Sequence, residues 1–290
     1  MRHSCTPRGS FMAIDYEKEY DNRGRVPEHP EIFARNERDA AAYRAAARGA
    51  ELGLKYGPSP RQYMDFFPGK DGGPLAMFIH GGWWRTRDPS AYSHLAIGPN
   101  AQGVSVAVVG YDLCPQVTIA TIIEQIRAAC LYLWRKKRQR ITVYGHSAGG
   151  HLAACMVATD WKTIAPDAPA DLVPAGYSIS GVFDLAPLVH VSQNADLRLD
   201  AEEARRVSPL FWRVPAGRTF DAVVGSLESS EFLRQSRTVA ETWRQAKAQT
   251  RYEEIAGTNH FTVVDPLTDA NSAMTKRVVE LAKQVAAMKI

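Results

Sequence analysis

The chain has 290 residues, 45% hydrophobic and 23% charged, the composition of an ordinary globular protein with apolar residues enough for a sizeable core. Its 35 Lys and Arg against 31 Asp and Glu leave a net charge of only +4, and the basic residues are scattered except for Arg135-Lys136-Lys137-Arg138, which suits the negative end of a helix; with no nucleic-acid-binding motif beside it, no nucleic-acid partner is expected. The four cysteines, Cys5, Cys114, Cys130 and Cys155, form no CxxC pair and have no histidine at zinc-ligand spacing, so neither a metal nor another cofactor is expected and a reducing compartment fits best. The basic N-terminus is followed by Asp15, Glu17 and Lys18 rather than an apolar stretch, and no apolar run is long enough to span a bilayer. A cytoplasmic protein without a membrane partner is the expectation.

Residues 1–30 are polar, with Pro27 and Pro30 near their end, and read as an extended or poorly ordered arm carrying little chemistry. The Ala- and Arg-rich residues 31–48 end at Gly49 and predict a helix. One domain is expected over residues 1–290, with residues 1–60 an arm and helix preceding the core. Residues 62–67 and the apolar run 75–79 flank a turn at Pro68-Gly69-Lys70-Asp71-Gly72-Gly73, which suggests a hairpin leading into a central strand. Further strands are predicted at 104–109, 141–144, 175–179, 220–224 and 251–255. Between the first two of these, Ile119, Ile122, Ile123, Ile126, Ala129, Cys130 and Leu133 mark one face of a helix, and helices are also predicted at 231–247 and 273–288. Strands alternating with helices imply a mostly parallel sheet covered on both faces, with ligands beyond the carboxyl ends of its strands.

The strongest chemical signal is Gly145-His146-Ser147-Ala148-Gly149, set between a strand and a helix as a nucleophile elbow requires. This makes Ser147 the candidate nucleophile. Upstream, a buried strand ends in His80-Gly81-Gly82-Trp83-Trp84. Acyl transfer needs backbone amides aimed at a developing oxyanion, and the loop at Gly81, Gly82 and Trp83 can supply them together with Ala148, just after the nucleophile. Trp83 and Trp84 are candidates to border an aromatic substrate. His260 follows the last predicted strand, where this fold places the base; His94 and His190 have no motif around them, and His80, His146 and His151 belong to the motifs already described. The third member should be an acid between Ser147 and His260. Glu228, on the loop after the strand at 220–224, fits better than Glu231, which starts a helix, or Asp221, inside the strand.

These motifs, with Tyr111-Asp112-Leu113-Cys114-Pro115, Ser180-Gly181-Val182-Phe183-Asp184-Leu185-Ala186-Pro187-Leu188, Ser208-Pro209-Leu210 and the stretch from Glu228 to Ser236, resemble the kynurenine formamidases (arylformamidases) and esterases of the α/β-hydrolase fold. The resemblance covers roughly the last three-quarters of the chain. It implies metal-free hydrolysis of N-formyl-L-kynurenine to kynurenine and formate through a formyl-enzyme. The same machinery would serve a carboxylesterase or amidase on another small aromatic or short-chain substrate. A non-catalytic binding protein of the same fold is a third reading, disfavoured by the intact set Ser147, Glu228 and His260. The expected partner is a small-molecule substrate; a homo-oligomer is compatible with the sequence but not indicated by it.

Overall fold

The computed structural model of the protein describes residues 13–288; residues 1–12, with Cys5, lie outside this range. Eight strands, β1 (Glu51–Lys55), β2 (Tyr63–Phe67), β3 (Leu75–Ile79), β4 (Ser105–Val109), β5 (Thr142–His146), β6 (Ala175–Ile179), β7 (Thr219–Gly225) and β8 (Gln249–Ile255), form one sheet. Their order is β1-β2-β4-β3-β5-β6-β7-β8. β2 runs antiparallel to both of its neighbours, and all other pairs are parallel. The central strands β3, β5 and β6 are buried along their whole length, and β3 accordingly is a continuous apolar run. The last strand, β8, alternates exposed and half-buried residues, as an edge strand does.

Two expectations need correction here. The predicted hairpin between residues 62–67 and 75–79 does not form. β4 inserts between the two strands, Met64 facing Val109 on one side and Ile79 facing Val109 on the other. The apolar run of β4 needs a covered neighbour on each edge, and parallel β3, reached by a crossover connection, supplies one of them. β1, within the segment expected to precede the core, instead joins the sheet, and its exposed side chains and Gly53 explain why no alternation announced it.

Helices cover both faces. In the helix Ile119–Lys137 the predicted apolar face is the buried one, from Ile119 through Leu133. The helix Ala148–Ala158 is buried throughout and packs on β5 and β6, while Ser230–Gln245 and Ala273–Ala286 bury one stripe each. Among the described residues no helix is long and apolar enough to cross a membrane.

The described part of the N-terminal arm also departs from expectation. Residues Tyr16–Tyr20 and Asn22–Arg25 are short helices, and His29–Ala46 is a long one. Tyr20 is wholly buried, its hydroxyl donating to Glu231 Oε2 (3.1 Å) and accepting from Gln235 Nε2 (3.0 Å). Glu17 accepts from the Ser192 amide and hydroxyl, both at 2.6 Å, and Glu19 from Ser230 Oγ (2.7 Å) and the Glu231 amide (3.0 Å). Burial alone would raise the Glu19 carboxyl pKa, but these hydrogen bonds and Arg25 outweigh it and hold it below the usual range. The arm's polar residues are therefore specific fasteners, which composition cannot distinguish from solvated ones.

The approach of the helix Ala148–Ala158 to the sheet depends on Gly149. A Cβ there would lie 1.9 Å from the Ile79 carbonyl oxygen, a backbone atom that cannot swing away. Gly149→Ala is expected to cost about 3 kcal/mol, the upper part of the overpacking range, and to lower the thermal unfolding midpoint by roughly 5 °C. A midpoint unchanged in calorimetry would refute this tight contact.

Candidate active site

Beyond the carboxyl end of β5 the chain turns sharply into the following helix. Ser147 has φ 56° and ψ −119°, a conformation that L-residues rarely adopt. It is held by its own amide, which donates to the Ile179 carbonyl (2.8 Å), and by the start of the following helix, where the Gly150 and His151 amides donate to the Ser147 carbonyl (2.9 and 3.1 Å). Strain of this kind persists only where the surroundings over-determine it.

His260, on the loop after β8, brings its Nε2 to 3.1 Å from Ser147 Oγ and its Nδ1 to 2.6 Å from Glu228 Oε2. A carboxylate can only accept, so Nδ1 carries the proton and the Nε2 lone pair is left for the serine hydroxyl. Glu228 lies on the turn after β7, and its second oxygen accepts from the Gly225 amide (2.7 Å) and Ser180 Oγ (2.5 Å). All three residues are at least nine-tenths buried. A histidine so placed can take the serine proton as the hydroxyl attacks a carbonyl, with the carboxylate stabilising the imidazolium.

The rejected acids have other partners: Asp221 pairs with Arg277 (2.6 Å), and Glu231 with Arg234 (2.7 Å). His146, next to Ser147, donates from Nε2 to the His260 carbonyl (2.8 Å) and so braces the loop that carries His260. Burial, reinforced by the neighbouring His260, pushes the His146 pKa well below the usual value and keeps the ring neutral.

The His80–Trp84 loop lies directly against the elbow: a Cβ on Gly81 would come 3.0 Å from Ser147 Cβ. Gly82, Trp83 and Trp84 all have positive φ (109°, 58° and 53°). Among the described residues the amides of Gly82, Trp83 and Ala148 donate to no protein acceptor, which leaves them for a ligand. Tyr111 pins the base of this loop by donating to the His80 carbonyl (2.8 Å), with its ring stacked on His80 at 4.3 Å. His80 itself is buried, which lowers its pKa to about 4.

A cavity opens above Ser147 and His260. Trp83, Tyr92 and Phe261 form part of its wall, with Phe33 from the long N-terminal helix. The two tryptophans part company here. Trp83 borders the cavity, but Trp84 is a correction to the expected substrate contact: it is 1% exposed and packs edge-on against His151 in the core. Successive residues in this tight turn send their side chains in different directions, so only one of the pair can face the site.

Tyr20, Asp21, Asn22 and Arg23 close the cavity from above, a contribution that the polar reading of residues 1–30 missed. Ser180, the first residue of the Ser180–Leu188 motif, donates to Glu228, a role that no sequence pattern marks. The remainder of that motif fixes the segment after β6: the Phe183 and Asp184 amides both donate to Gln235 Oε1 (2.9 Å each) and the Leu185 amide to Ser208 Oγ (2.8 Å).

The sheet order, the strand–elbow–helix turn and the residue order Ser147, Glu228, His260 define an α/β hydrolase. Residues 76–264 match the family described as alpha/beta hydrolase fold (Abhydrolase_3), more than half of the chain, and the protein belongs to that family. Its relatives include the kynurenine formamidases of Danio rerio, 26% identical, and Drosophila melanogaster, 28% identical, each aligned over 79% of this chain and 81% of the relative. A crystal structure from Silicibacter sp., described as that of a candidate thioesterase, is 32% identical, has a TM-score of 0.80, and covers 92% of this chain and 99% of its own.

Proposed function

We propose that the protein is a serine hydrolase of small aryl formamides, with N-formyl-L-kynurenine as its substrate. The observation that carries this reading is the Ser147–His260–Glu228 chain of hydrogen bonds at the floor of an aromatic-walled cavity. In the proposed reaction His260 Nε2 takes the Ser147 proton as Oγ attacks the formyl carbon, and the amides of Gly82, Trp83 and Ala148 receive the oxyanion. Gly81 shapes the loop beside them. Collapse of the intermediate expels the arylamine, which His260 protonates. Water, giving its proton to the same nitrogen, then splits the formyl ester, releases formate and restores the serine. No metal enters these steps. The names of the relatives support a formamide substrate, and the aromatic rings around Ser147 fit an aryl leaving group.

The thioesterase description of the Silicibacter structure favours a second reading, an esterase or thioesterase with the same residues and a different acyl group. Absorbance assays of N-formyl-L-kynurenine and p-nitrophenyl acetate separate the two. The first reading predicts a kcat/KM for the formamide in the ordinary enzyme range, about 10⁴ M⁻¹s⁻¹ or above. Rapid cleavage of the ester with no turnover of the formamide would sink it and leave the second.

A further inference from the structure

We infer that Arg23 and Asp21, in the roof of the cavity, bind the carboxylate and the ammonium of an α-amino-acid group on the substrate, so that the enzyme selects zwitterionic aryl formamides over neutral ones. This deepens the formamidase reading and rests on it. Three arginines border the cavity, and two are already engaged. Arg85 pairs with Asp196 at 2.5 Å; Arg87 pairs with Glu37 at 3.2 Å and lies 3.8 Å over the Phe33 ring. Arg23 has no carboxylate partner among the described residues. It is exposed to solvent and borders the cavity, leaving a planar fork of donors for an incoming carboxylate.

Two positions earlier, Asp21 spends only Oδ1 on the chain, accepting from the Gly24 amide at 2.9 Å. Its other oxygen has no protein donor among the described residues and can take an ammonium. A cation and an anion that both border one cavity discriminate against a ligand carrying only one charge, because either sign then meets a repulsive neighbour. The pair is also held ready. Glu17, Glu19 and Tyr20 fasten the preceding turn of helix to Ser192, Ser230, Glu231 and Gln235, so little ordering is left for the ligand to supply.

The test compares N-formyl-L-kynurenine with 2-formamidoacetophenone, the same ortho-acyl formanilide with a methyl group in place of the amino-acid arm. The quantity read is the ratio of their kcat/KM values, in which any general loss of activity cancels. Wild type is expected to favour the amino acid at least tenfold, and Arg23→Gln to reduce that ratio by about 10- to 100-fold, the range of a charge-assisted hydrogen bond, chiefly through KM. Asp21→Asn, which keeps the helix cap, should reduce it in the same direction. Equal cleavage of both formamides by wild type, or a ratio unmoved by Arg23→Gln, would overturn the inference while leaving the formamidase reading intact. A wild type that cleaves neither formamide yet hydrolyses p-nitrophenyl acetate would remove that reading, and this inference with it.

Discussion

Ser147→Ala is expected to lower kcat by about 10⁶ on any substrate the wild type cleaves, the loss found when a triad serine is removed, and to abolish labelling by a fluorophosphonate. The substitution removes one oxygen and its 3.1 Å hydrogen bond to His260, and it leaves the amide to Ile179 and the buried helix behind it in place. Circular dichroism should therefore match wild type. His260→Ala should cost about as much, and the double variant no more than either, because the two residues act as a unit. Residual turnover within a hundredfold of wild type in Ser147→Ala would show that another group is the nucleophile.

Glu228→Gln should lower kcat by about 10⁴, as the corresponding amide substitution does in other triads. Its direction can be derived from the contacts. The oxygen that accepts from both Gly225 N–H and Ser180 Oγ must remain an acceptor, so the glutamine oxygen takes that place and its NH₂ turns towards His260. Two donors would then face each other unless His260 shifts its proton to Nε2, the nitrogen that must be bare to receive the serine proton. The volume is unchanged, so the loss would appear in kcat with little change in stability. A drop of less than tenfold on p-nitrophenyl acetate would mean that Glu228 is no more than a packing partner of the ring.

Much of this site was legible because its chemistry is tied to strand ends. The run at 141–144 points to the elbow at Ser147, the run at 220–224 to Glu228, and the run at 251–255 to His260. The run at 220–224 stands out because burial on both faces of a parallel sheet demands apolar residues, whereas the one at 251–255 belongs to an edge strand of exposed and half-buried residues. Periodicity does not find what depends on pairing. β2 and β3 are neighbours in sequence but not in the sheet, and β1 carries no apolar alternation at all. Nor could pattern reveal Tyr20 to Arg23, whose place above Ser147 is fixed by hydrogen bonds to residues more than two hundred positions away. Trp83 and Trp84 were indistinguishable in sequence, since only the backbone turn decides which ring faces the cavity.

That long reach gives the active site a history as well as a shape. Tyr20 is made early, but its partner Glu231 is 211 positions later in the chain. At ordinary rates of synthesis, about 5–20 residues per second, the roof must wait roughly 10 to 40 s for its seat. His260, the proposed base, emerges later still. A growing chain thus displays Ser147 in the open for some time before anything can activate it or cover it. On the proposed mechanism competence and closure arrive almost together, so the unfinished chain would carry Ser147 without the partner that activates it.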